Sequence, residues 1–408
     1  MRVGVIGAGL GGLLVGATLL KRGYDVEIFE KLSYPGGRFT NLEYRGYQLT
    51  TGALHMIPHG QNGPLGKMLR SLNAGVEIVT SEPMGLFRVD GEDYTFNELP
   101  NVLPVKDRLR LGAVLALMRF STGNGRSFEH WLRGKIDHPL VYKIADSFGI
   151  WALSLRAKDV PSQEYIAIGK AIDKCGGPGV PLGGCKAVIN ALAEIIESQG
   201  GVINCNSKVE GILVKDGTAE GMRIKGEDHK FDILISDIGP KATEKLLRQE
   251  RNPEGIDIIE AAGIKISIGC DKPMLGHTGV LFTPQAQRIG GLNEVTNADP
   301  QLAPKGKHLL MSHQAWDPRR NVKEETRIGM RDLRNIFPDF DNHCKVLLVQ
   351  SYKGEWPVNR VPSGTHLEPQ GPVKGLFYVG DAIKPMGWME TEGVAAGVEM
   401  VVDKIENL

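Results

Sequence analysis

Apolar side chains open the chain in a β-branched run, Arg2–Ile6 (RVGVI), give way to glycines, and return at helical spacing from Leu13 to Gly23. This pattern predicts a strand, a glycine turn and a helix stopped by Gly23, followed by a second strand over Tyr24–Glu30. Two strands joined through a helix in this way lie parallel in a buried sheet. From about Pro83 to Gly169 the pattern shifts to a short hairpin-like stretch, Leu86–Phe96, and then to helical segments, of which Lys106–Phe120 is the clearest. The α/β pattern resumes with a helix over Cys185–Gln199, strands over Gly201–Asn204, Val209–Lys215 and Phe231–Ser236, and a turn at Asp216-Gly217. Between Lys265 and Tyr352, KISIGC, GVLFTP, HLLMSHQAW and KVLLVQSY read as strands of a separate sheet, interrupted by a helix over Lys323–Ile336. The fold class expected is α/β, with one discontinuous domain from residues 1–82, 182–264 and 352–408. An α+β domain, 83–181 and 265–351, is inserted into it.

At 408 residues the chain is longer than a single core usually supports, which agrees with two domains. Its 48 basic residues balance 48 acidic ones, so no net field draws it to nucleic acid. The cysteines, Cys175, Cys185, Cys205, Cys270 and Cys344, are odd in number and lack CxxC spacing, which argues against zinc and against a disulfide framework. A reducing, cytoplasmic location is expected. The N-terminal apolar run is broken by glycines and has no small-residue cleavage site, so it does not read as a signal peptide. No apolar stretch is long enough to span a bilayer. Lys106–Phe120 carries its cations at its start, and is expected to face the core. The alternative is peripheral contact with a membrane surface.

Gly7-Ala8-Gly9-Leu10-Gly11-Gly12 fits GxGxxG between the first strand and its helix. Gly7 permits the tight turn, Gly9 lets the backbone approach a pyrophosphate, and Gly12 lets helix and sheet pack closely. The helix N-terminus then offers N–H groups and a positive dipole end to phosphates. Glu30, with Lys31 after it, ends the second strand where a carboxylate accepts hydrogen bonds from both hydroxyls of an adenosine ribose. The same acid would repel a 2′-phosphate, which disfavours NADP.

Pro35-Gly36-Gly37-Arg38 follows directly, so the chain reads GxGxxG, acid, GGR. This order resembles the flavin amine oxidase and phytoene desaturase superfamily. Pro181-Leu182-Gly183-Gly184 with its following helix, Ile235-Ser236-Asp237-Ile238-Gly239-Pro240, and Gly375-Leu376-Phe377-Tyr378-Val379-Gly380-Asp381 are similar to segments of its carotenoid desaturase and isomerase branch. The resemblance implies an FAD-binding, GR2-type Rossmann-like domain and an inserted substrate domain. It implies that Gly37 and Arg38 touch the diphosphate or ribityl region, that Gly52, Ala53 and Leu54 lie by the isoalloxazine, and that Val209 bonds adenine through its backbone. Gly380 and Asp381 would meet the ribityl chain or diphosphate, and a helix opening near Gly393-Val394 would aim N–H groups at the flavin pyrimidine. The family commonly reads GxxxEGA before this helix. Here Gly387-Trp388-Met389-Glu390-Thr391-Glu392-Gly393-Val394 is two residues longer, which leaves the register of flavin contacts between Met389 and Glu392 open.

Because a flavin carries the electrons, few catalytic side chains are needed. Lys265 matches a lysine that amine oxidases hold over flavin N5 through a water; its other reading is a strand-end lysine reaching solvent. Trp388 and Trp356 are candidates to line the substrate, or plain packing. His55 is a candidate proton donor near the flavin. Pro58 interrupts the His55–His59 spacing, so no metal is expected. The reading that follows is an FAD-dependent oxidoreductase moving hydride equivalents to or from an apolar, isoprenoid- or polyene-like substrate. The alternatives are an amine oxidase and a flavin-binding chain without turnover, such as a regulator. No cysteine in the C-terminal segment offers a thioether link to flavin.

Overall fold

The computed structural model describes residues 1–247, 260–360 and 367–408. Its first sheet has five parallel strands in the order Leu376–Tyr378, Ile233–Ser236, Arg2–Ile6, Asp25–Phe29, Val202–Asn204. The alternation of side chains along each strand sends two sets of residues to two different cores. Val3, Val5, Ile28, Ile235 and Phe377 face the helices Leu10–Lys21, Cys185–Ser198 and Glu390–Glu406. Ile6, Phe29, Leu234 and Leu376 face an antiparallel sheet of Val209–Lys215, Thr218–Ile224 and Glu227–Lys230. Gly4 permits that contact, since a Cβ there would lie 2.5 Å from Met222 Cε. Asp216 (φ 49°) and Gly217 (φ 75°) form the left-handed two-residue turn of this sheet's first hairpin.

The second sheet has seven strands, in the order Cys344–Tyr352, Gly263–Cys270, His308–Ala315, Ile289–Glu294, Val280–Phe282, Gly85–Val89, Glu92–Thr95. All neighbours are antiparallel except Val280–Phe282 and Gly85–Val89. The helix Val322–Ile336 covers one side through Leu333, and Pro139–Leu153 packs against the strands Ile289–Glu294 and His308–Ala315. Strand Ile289–Glu294 was not expected, because its glycines hide the β pattern.

The expectation that Lys106–Phe120 faces the core is corrected. The helix runs Val105–Phe120, and Val114 is its one buried residue. Leu109 and Phe120 are 72% and 87% exposed, with Leu115 and Leu117 also exposed. The helix rests on Ser162–Cys175 and on the short 3₁₀ turn Leu99–Val102, leaving most of its apolar surface uncovered. Among the described residues no helix is long and apolar enough to cross a membrane.

Candidate functional site

Gly7 leaves the first strand at φ 97°, a conformation that a side chain would strain. A Cβ on Gly12 would collide with the Gly7 carbonyl, so the helix packs over the turn only with glycine there. A Cβ on Gly11 would sit 2.7 Å from Gly380 Cα, and this close approach brings the C-terminal segment to the start of the first helix. Gly9 precedes that helix and carries no capping side chain, so its first turn points N–H groups toward the cleft, apart from that of Gly12, which bonds the Asp237 carboxyl. Glu30 is buried beside the turn; its Oε2 accepts from the Ala8 N–H at 2.9 Å and its Oε1 from the Leu32 N–H at 2.8 Å. Each oxygen keeps a lone pair for a further donor.

A cleft of about 680 Å³ is lined by the glycine turn, Glu30, Val209, Asp381 and Val394 among others. Of the expected cofactor-binding residues, all but Ala8, Gly12, Met389 and Gly393 line it. The other four stand back from its wall. Ala8 is used up as the donor to Glu30, and Gly12 lies under the turn. Gly393 is pressed against the Trp388 carbonyl, where a Cβ would be 2.5 Å away, and Met389 faces a second cavity.

Arg38 lines the cleft but is already engaged. Its Nη1 donates to the Pro357 and Val358 carbonyls at 2.7 and 2.9 Å, and its Nη2 to Asp381 at 2.7 Å. Asp381 also accepts from Lys384 Nζ at 2.7 Å and from the Arg360 N–H at 2.7 Å. Burial alone would raise the Asp381 carboxyl, but Lys384 and Arg38 outweigh it and hold it at about 2. Arg38 therefore ties the Pro357–Arg360 segment to the C-terminal loop from a position on the cleft wall.

Lys265 neither reaches solvent nor lines either cavity. It is wholly buried, and its Nζ donates to the Thr50 and Gly52 carbonyls at 2.7 and 2.6 Å. Tyr352 donates to the same Gly52 carbonyl at 2.6 Å, so both side chains fix the cleft wall at Gly52. Burial lowers the Lys265 ammonium to about 7. The reading of His55 as a proton donor is corrected: its Nε2 bonds the Gln48 carbonyl at 2.8 Å, its Nδ1 accepts from the Cys185 N–H at 3.2 Å, and burial brings its pKa down to about 4. It is neutral at physiological pH and joins strand to helix. Trp356 lines the cleft, whereas Trp388 lies edge-on to the His59 ring at 5.7 Å and lines neither cavity. Among the described residues no cluster of His, Cys, Asp and Glu is arranged to hold a metal.

The second cavity is apolar, walled by Phe148, Trp151, Phe282 and Met389 among others, and it shares Leu54, Met56 and Glu390 with the cleft. Asp237, Arg360 and Glu390 are among the cleft residues that escaped the sequence reading. Asp237 sits in the motif ISDIGP, where its position was legible, but nothing local shows that its carboxyl is folded over Gly9 and Gly11. Burial pushes that carboxyl up to about 7 against the pull of a Gly12 N–H and of Arg360 and Arg38.

Residues 5–72 match the NAD(P)-binding Rossmann-like domain family. An uncharacterized protein of Methanocaldococcus jannaschii is 43% identical over all of both chains. A neurosporene-forming phytoene desaturase of Cereibacter sphaeroides is 27% identical over 57% of this chain and 52% of its own, so the match spans about half of that enzyme. The crystal structure of an oxidoreductase from Methanosarcina mazei superimposes with a TM-score of 0.94 at 43% identity, over 99% of this chain and 100% of that one. A putrescine oxidase, 15% identical over 100% and 99% of the two chains, shares the fold with a TM-score of 0.75. The glycine turn with its acid, the shared fold and these relatives together make the chain an oxidoreductase that belongs to the FAD-dependent superfamily of flavin amine oxidases and phytoene desaturases, in its carotenoid desaturase-like branch.

Proposed function

We propose that the chain binds FAD in the long cleft and exchanges hydride equivalents between it and an apolar, isoprenoid- or polyene-like substrate. The observation that carries this reading is the apolar cavity meeting the dinucleotide cleft along Leu54, Met56 and Glu390. The residues fit the cofactor: the bare glycine turn and uncapped helix start suit a diphosphate, and Glu30 retains lone pairs for the ribose hydroxyls. Val209 would then meet the adenine, and Asp381 and Val394, which line the same cleft, the ribityl and flavin part. Bound FAD would supply a two-electron acceptor or donor.

This chain's own residues do the rest. Lys265 and Tyr352 hold the Gly52 carbonyl so that the wall beside the flavin stays fixed. Phe148, Trp151 and Phe282 exclude water from the substrate. Residues 1–82, 182–264 and 352–408 would hold the cofactor, and the rest of the chain, with Leu54, Met56, Met389 and Glu390, would shape the substrate cavity. The exposed face of Val105–Phe120, with Lys106, Arg108, Arg110 and Arg119, supports peripheral contact with an anionic lipid surface, a source of apolar substrate. Anaerobic mixing of FAD-loaded protein with phytoene and, separately, with putrescine tests the reading. Bleaching of the flavin by phytoene is expected, and bleaching by putrescine alone would favour an amine oxidase instead.

A further inference from the structure

Glu390 opens the C-terminal helix in a left-handed conformation, φ 45°, which residues with a side chain rarely adopt unless their surroundings impose it. Its side chain lines both cavities, and it is the one titratable residue among those walling the apolar cavity. Two other buried carboxyls lie close by in the fold, and both are held. Glu392 accepts from the His59 and Leu65 N–H groups at 3.0 and 2.8 Å, and Glu164 from the Gly387 N–H at 2.9 Å. Among the described residues Glu390 has no such donor; beyond its burial, it feels Lys384, Asp381 and Arg38 through charge.

We infer that Glu390 is a catalytic residue, the carboxyl that takes a proton from the substrate, or returns one to it, at the junction of the two cavities. The inference rests on the FAD and apolar-substrate reading above. In the dehydrogenating direction two adjacent carbons each lose a hydrogen. One leaves with the electron pair of its C–H bond and passes to bound FAD, which is reduced by two electrons. The other leaves as a proton to the Glu390 carboxylate, and the electrons of its C–H bond become the new C=C bond. Saturation is the same step reversed, with the Glu390 carboxylic acid as donor.

The surroundings suit both directions. Burial raises Glu390 to about 7, Lys384 and Arg38 pull it down, and Asp381 pushes it up. Lys384 donates to Asp381 and Asn359, and Arg38 to Asp381 and the Pro357 and Val358 carbonyls, rather than to Glu390. A group poised near the working pH can act as base or as acid.

The test uses FAD-loaded wild type, E390Q and E390D. The midpoint potential of the bound flavin is measured across pH on both sides of about 7. Reduction places charge beside Glu390, so the wild type takes up an additional proton there. Its potential should fall more steeply with pH than that of E390Q, and E390D should restore the slope. Phytoene should also bleach the E390Q flavin at least about 100-fold more slowly than the wild-type flavin, the usual scale of general acid–base catalysis. Equal slopes in wild type and E390Q, or equal bleaching rates, would overturn the role of Glu390 alone. Failure of the wild type to retain FAD, or bleaching by putrescine in place of phytoene, would instead overturn the reading on which it rests.

Discussion

Asp237 puts a carboxyl where the cofactor's diphosphate must approach, across Gly9 and Gly11 and on the wall of the cleft. The two negative groups are compatible only if Asp237 carries a proton. Burial already raises it to about 7 from its ordinary 3.8, and an adjacent diphosphate pushes it further in the same direction. The sign of the pH dependence follows. Below about 7 the free protein holds the proton and binding is independent of pH. Above it, binding must take up a proton, so affinity falls about tenfold for each pH unit, or about 100-fold two units higher, equivalent to about 2.7 kcal/mol. Asp237→Asn keeps the shape, cannot ionise, and should bind FAD with an affinity nearly constant over the same range. Titrating apo protein with FAD and following quenching of flavin fluorescence at a series of pH values measures this directly. If wild type and D237N lose affinity in parallel, the proton is taken up elsewhere and the assignment is refuted.

Lys265→Met should destabilise the fold by about 1–3 kcal/mol in a denaturant titration, because two buried bonds are lost and the Thr50 carbonyl is left with the longer one from Gln350 at 3.3 Å. Because burial lowers Lys265 to about 7, the folded state binds fewer protons than the unfolded one between there and the ordinary lysine value. Wild-type stability should gain from that group as pH rises through this window, a gain absent in K265M. Gly11→Ala should weaken FAD binding by about tenfold or more, since the added Cβ meets Gly380 Cα at 2.7 Å and pushes apart the two segments that form the cleft. The double variant Leu109→Glu and Phe120→Glu should keep its melting temperature, both sites being exposed, while losing co-sedimentation with vesicles of anionic lipid. Unchanged sedimentation would remove the lipid-contact proposal.

The parts of the molecule that were legible in the sequence are those whose cause is local. Gly7 and Gly12 answer to backbone demands within a single turn, and Glu30 ends the strand beside them, so spacing alone brings them out. The parallel pairing of Arg2–Ile6 with Asp25–Phe29 follows from the strand–helix–strand pattern. What stayed hidden depends on partners distant in the chain. Lys265 reads as a strand-end cation until Thr50 and Gly52 are seen to accept two of its N–H groups in the interior, and His55 reads as a donor until Gln48 and Cys185 enclose it. The bond that Arg38 makes to Asp381 across the chain is equally hidden. Glu390 has no local signature at all, since its place depends on two cavities that meet only in the folded chain. The helix Val105–Phe120 misled for the opposite reason. Its apolar residues suggest a core, but the elements beside it are too few to cover them.

The central claim is that FAD in the cleft trades hydride with an apolar substrate in the adjoining cavity. The measurement that tests it most directly is the flavin absorbance spectrum of FAD-loaded, gel-filtered protein under anaerobic conditions. The account predicts that phytoene bleaches the oxidised flavin, or that a more unsaturated carotenoid restores the colour of dithionite-reduced flavin, while putrescine does neither. A protein that retains no flavin, or whose flavin responds to putrescine and to no polyene in either direction, would contradict it.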